Sequence, residues 1–139
     1  MRSLIAVAAV AFALPAAAQT CLKPGDQVEI AGRLAQIILP GPPNYHDISK
    51  GDRPEAGYYL KLDKPVCAAV PEPQRDDLGQ TKDDVQFVQL LRSSDDFPPS
   101  KTVLGMRQGY AGTLVAPETA HHRTQLMLDE MRLLWLETQ

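Results

Sequence analysis

The chain has 139 residues, with 14 Lys and Arg against 17 Asp and Glu, three histidines, two cysteines and a net charge of −3. No basic stripe appears anywhere along it, which argues against a nucleic-acid binder, whose footprint is a cationic face. The length suits one domain.

Residues 1–20, "MRSLIAVAAVAFALPAAAQT", carry one cation (Arg2), an apolar run from Leu4 to Leu14, the helix breaker Pro15 and then small residues. That order predicts a secretory signal peptide over 1–18, cleaved after Ala18, and hence a periplasmic or secreted product. The run is shorter than the roughly 20 residues that span a bilayer, and no second one follows, so stable membrane insertion is not expected. The mature chain, 19–139, would carry a net charge of −4 once Arg2 is removed.

An exported chain meets an oxidising compartment, and Cys21 and Cys67 predict a structural disulfide there. Lipidation of Cys21 is the alternative, opposed by the bulky Thr20 before it. The spacing is not the C-x-x-C of a redox-active pair.

"GDQVEIAGRLAQIIL" (25–39) alternates through Val28, Ile30, Gly32 and Leu34 and predicts a first strand, with a bend at Gly32. Residues 40–57, rich in Pro and Gly, predict a long exposed first loop. "YYLKLDKPVCAAV" (58–70) predicts a second strand with Tyr58, Leu60 and Leu62 on one face. A polar loop (71–84), a short third strand (85–91) and a segment with room for one helical turn follow. "MRQGYAGTLVA" (106–116) predicts a fourth strand and repeats the Ala-Gly-x-Leu of the first, suggesting a second bend at Gly112. The run after Thr124 reads as a helix by propensity and as a strand by alternation of Met127, Asp129, Met131, Leu133 and Trp135. The short gap after a bent strand favours the strand.

Five short strands, two of them bent by glycine, predict an all-β fold: a small five-stranded OB-like barrel with a long first loop. In an antiparallel pair of the first two strands, Cys21 and Cys67 would become neighbours, as a disulfide requires.

"GDQVEIAGRL", "GYYLKLDKPVCA", "VQFVQLL" and "GYAGTLVAPETAHHRTQLMLDEMRL" together resemble the bacterial "domain of unknown function 4431" family. The resemblance covers about residues 25 to 133 and rests chiefly on Tyr58, Tyr59, Leu60, Leu62, Asp63, Pro65 and Cys67, and on Gly112, Leu114, Thr119, His121, His122 and Thr124. The chain departs from the family pattern at Gly109 and Tyr110. The resemblance implies a small exported β domain and transfers no catalytic residue.

The chemistry-bearing stretch is "ETAHHRTQL" (118–126). On a strand, His121 and His122 would point to opposite faces and not share a metal. A metal site would need His46 to converge with one of them and with Glu118 or Asp47. The plainer reading has Thr119 and Thr124 bonding across a turn with one ring packed on the barrel rim, while His121 and Arg123 present donors to an anionic or polar partner. An outward Tyr59 beside Tyr45 would add a stacking platform. Candidate contact residues are therefore Tyr45, His46, Tyr59, His121, His122, Arg123 and Thr124.

No G-x-S-x-G occurs, the serines of the mature chain sit in polar loops, and the paired aspartates read as solvated charges, so no catalytic residue, metal or cofactor is assigned. The expected function is a non-catalytic module binding a small molecule or an envelope protein. The alternatives are an envelope inhibitor or immunity-type protein and a histidine-based metal binder.

Overall fold

A computed structural model describes residues 20–71, 75–91 and 99–138; the predicted signal peptide lies outside them. Five strands follow in order: β1 (Gln27–Pro40), β2 (Pro54–Val66), β3 (Val85–Leu90), β4 (Arg107–Val115) and β5 (Met127–Leu136). They close into a barrel in the order β1-β2-β3-β5-β4. The fold is all-β and OB-like, as the alternation predicts. Every pairing is antiparallel except β3 with β5, a parallel seam at Gln89–Met127 and Leu90–Leu128.

β1 serves two neighbours. Its first half pairs with β4 from Gln27 opposite Thr113 to Arg33 opposite Arg107, and its second half pairs with β2 from Gly32 opposite Leu62 to Pro40 opposite Pro54. The ladders overlap at Gly32 and Arg33, and at Gly32 a Cβ would run into the Lys61 backbone carbonyl. Glycine is thus required by close approach of another backbone. At Gly112 a Cβ would stand 2.7 Å from the Asp129 carbonyl oxygen. The β4–β5 register shifts there, and Glu130 adopts a positive φ of 48°. The bend is a bulge that needs a bare backbone opposite it.

The interior is filled by Leu34, Leu60, Leu62, Val85, Val88, Leu114 and Leu128, all buried. Each such side chain contributes about 1.5–3 kcal/mol on removal from water. Tyr110 is also buried, and its hydroxyl donates to Gln108 Oε1 at 2.7 Å while Gln108 Nε2 donates to the Val103 carbonyl at 3.0 Å. The polar groups are satisfied within the apolar core, which is what makes their burial tolerable.

The bounds of the second strand differ most from expectation. β2 begins at Pro54, not Tyr58, because residues 54–57 continue the ladder opposite 37–40; proline is tolerated as a strand's first residue. The first loop shrinks to 41–53, and β2 ends at Val66. The run after Thr124 is strand β5, the alternative that the short gap after a bent strand favours.

Cys21 and Cys67 form the disulfide, with Cα atoms 4.6 Å apart, so the Cys21 sulfur is engaged rather than free. The route differs from the simple antiparallel argument. Ahead of β1 the chain turns at Lys23–Asp26, with Gly25 at φ 94°, and Leu22 then runs parallel to Ala68. Leu22 N–H donates to the Cys67 carbonyl at 2.8 Å and Ala69 N–H to the Leu22 carbonyl at 2.7 Å.

Candidate functional site

Leu60 and Leu62 face the interior, so alternation turns Glu55, Gly57 and Tyr59 to the outer face of β2. The segment joining β4 to β5, residues 116–126, folds back over this face. It is stitched to β3 through one side chain: Gln89 Oε1 accepts from the Arg123 amide at 2.7 Å, and Gln89 Nε2 donates to the His121 carbonyl at 2.9 Å. The Gln89 amide donates to Thr124 Oγ1 at 3.1 Å, which itself donates to the Leu126 carbonyl at 2.7 Å.

Arg123 is the centre of the arrangement. Its side chain is 2 % exposed. One guanidinium nitrogen donates to Asp77 at 2.9 Å; the other donates to Glu55 at 2.9 Å and to the Pro40 carbonyl at 2.8 Å. Its Cζ sits 5.1 Å from the centre of the Tyr45 ring. Glu55 divides its two oxygens, one to Arg123 and one to His121 Nδ1 at 2.7 Å. With that imidazole N–H donating to Glu55, Nε2 of the neutral ring accepts from the Tyr45 hydroxyl at 3.3 Å. Asp77 also takes Arg75, and its amide donates to the Arg123 carbonyl at 2.7 Å.

Electrostatics follow from these contacts. Burial raises the Glu55 carboxyl, but hydrogen bonds from Arg123 and His121 outweigh it and hold the group below the usual carboxylate range. Burial likewise opposes Asp77, and the guanidinium groups of Arg75 and Arg123 win. The Tyr59 phenol, 1 % exposed, is pushed up to about 12 by burial, with the Arg123 charge opposing. Gly57 leaves the space the ring needs, since a Cβ there would meet the Tyr59 hydroxyl at 2.6 Å.

The loop 41–53 forms the other half of the rim and is pinned from within. Asp52, 4 % exposed, accepts from the Asn44 amide and side chain through Oδ1, and from the His46 and Asp47 amides through Oδ2, at 2.7 to 3.1 Å. Those backbone donors draw its pKa down to about 2. Tyr45 stands at φ 60°, a left-handed conformation that costs a non-glycine residue about 1 kcal/mol or more, and it persists between His121 and Arg123.

Of the candidate residues, Tyr45, His121 and Arg123 come together. The others do not join them as an open site. Tyr59 faces outward but lies buried under the folded-back segment, so it forms no stacking platform with Tyr45. Arg123 is an internal clamp, not an exposed anion donor, and Thr124 is fully buried. Thr119 and Thr124 do not bond across the turn; Thr119 Oγ1 accepts from the His121 amide at 3.3 Å. His46 is exposed, and His122 turns inward on its own turn, its Nδ1 accepting from the amides of Glu118 at 2.8 Å and Thr119 at 3.3 Å. Among the described residues no three His, Cys, Asp or Glu side chains group to hold a metal, so the three-histidine convergence is not formed.

The sequence reading missed Glu55, Asp77, Asp52 and Gln89. Glu55 lay in a stretch read as loop; extending β2 by four residues would have put it on the Tyr59 face. No known protein family, curated protein or solved structure matches the chain, and the resemblance to the "domain of unknown function 4431" group rests on its quoted motifs alone.

Proposed function

We propose that the chain is an exported, non-catalytic binding module that docks on another envelope protein through the rim formed by loop 41–53 and the turn at 117–122. The observation that carries this reading is the pinned loop. Asp52 fixes the backbone of residues 44–47 from inside, while His46, Ile48, Ser49 and Lys50 stay exposed at the tip. A contact loop already held in one conformation loses less entropy on binding, which is how rigid recognition loops gain affinity. Ile48, 42 % exposed on a polar loop, supplies an apolar anchor.

Two further features support protein over small molecule and export over retention. The barrel interior is packed with side chains, so a ligand must meet an outer surface. The Cys21–Cys67 bond and the signal-like first 18 residues suit an oxidising compartment. An envelope inhibitor or immunity-type protein is one form this module would take.

The test is site-specific photo-crosslinking in intact cells, with the crosslinker at position 48 and, as control, at Lys64 on the far end of β2. The expected result is a discrete adduct from position 48 alone, lost when His46 and Lys50 are both changed to Ala. Equal adducts from both positions, or adducts from Lys64 only, would overturn the reading.

A further inference from the structure

The two neighbouring histidines use the same ring atom in opposite ways. Nδ1 of His121 donates to the Glu55 carboxylate at 2.7 Å. Nδ1 of His122 receives two backbone donors, the amides of Glu118 and Thr119. An imidazole nitrogen that accepts carries no proton, so His122 is held in the tautomer protonated at Nε2. A second proton affects the two rings differently. On His121 it adds an Nε2–H, which the Tyr45 oxygen can accept, and the Glu55 bond strengthens. On His122 the proton must go to Nδ1, where it points at two N–H groups.

We propose that His122 is a proton-operated latch for the turn at 118–122: neutral, it caps the Glu118 and Thr119 amides; charged, it releases them and turns to carboxylates beside it. The second state has partners in place. The shallow depression next to the ring is lined by Leu91, Val115, Ala116 and His122 together with Glu118 and Asp129. Glu118, from the turn itself, and Asp129, from β5, are the charged groups in that lining, and both favour an imidazolium. The ring therefore has two arrangements, each complete for one protonation state, and the proton selects between them.

The turn is suited to respond on its own. Glu118, Thr119 and His121 are exposed, whereas Arg123 to Leu128 are buried, so the tip can rearrange while the clamp below it holds. His121 stays tied to Glu55 through the change, since acid strengthens that contact until Glu55 itself protonates. A shift of 118–120 alters one side of the rim. That this tunes docking rests on the proposed function; the latch itself does not.

The test uses the full mature protein without any partner, so its failure is separate from failure of the docking reading. Imidazole ¹⁵N shifts at about pH 7.5 should show His122 protonated at Nε2 only. Between about pH 7.5 and pH 5, amide exchange protection at Glu118 and Thr119 should fall by about fivefold or more, tracking the His122 ring titration, with Leu34 and Leu60 unchanged. His122→Asn, whose Oδ1 stands where Nδ1 does but cannot charge, should abolish the fall, and His121→Gln should preserve it. A proton on Nδ1 of His122 at neutral pH would overturn the latch, as would unchanged protection while the ring titrates. The same fall in His122→Asn would also sink it; should that variant not fold, the ¹⁵N and exchange data on the parent protein decide.

Discussion

The inside of the barrel and the flank beneath residues 116–126 are both shielded from water, but by different forces. Inside, leucines and valines from all five strands meet, with Tyr110 and Gln108 as polar guests. On the flank, a buried guanidinium is shared among Glu55, Asp77, a carbonyl and an aromatic face. Apolar burial is non-directional and indifferent to pH. An ion cluster depends on geometry and on every partner staying charged, and loss of one member leaves the others stranded. The first region sets whether the chain folds; the second sets how its surface is held.

Three experiments would break or sharpen this contrast. The largest effect belongs to the bends. Gly32→Ala or Gly112→Val places a Cβ against a carbonyl of the neighbouring strand, and either should cost more than about 4 kcal/mol in chemical denaturation. A folded, cooperative Gly32→Ala protein would mean β1 does not turn there. Next comes the tether. Cys67→Ala opens a loop whose ends are 46 residues apart, worth about 4 kcal/mol by the chain-entropy argument. The loss should show under oxidising conditions and vanish against parent protein in reductant; an equal loss in both would assign the effect to packing.

The smallest expected effect tests the flank. Arg123→Met should cost about 2–3 kcal/mol at neutral pH, below the full value for a broken buried pair because Glu55 and Asp77 are each 26 % exposed. Glu55 and Asp77 both titrate below their ordinary range when folded, so their stabilisation is present at neutral pH and lost as pH falls through and below about 4. The gap between parent and variant should therefore narrow towards about pH 3. A gap independent of pH would show that Arg123 acts by filling space.

The same division explains what the sequence discloses. Interior positions repeat with period two, so the strands, the two glycine bends and the barrel can be read from spacing, and with two cysteines in the chain each has one possible partner. The flank has no such period. Glu55 sits between Pro54 and Ala56 in a run that looks like loop, and Asp77 lies in one of several acidic pairs. Nothing local says which of them Arg123 reaches, since the contact needs the chain to fold back across β2. Tyr59 is half-way between: its outward direction follows from alternation, whereas its burial depends on what settles over it.

Gly32 belongs to two ladders at once, facing Leu62 on one side and Gln108 on the other. The first partner arrives through a short connection and the second only after most of the polypeptide has been made. The β1–β2 hairpin can form early, whereas ring closure waits on a distant return, the kind of topology that makes assembly slow. Until β4 docks, the free margin of β1 stands open, and that interval is when a half-made chain is most exposed to sticking to its neighbours.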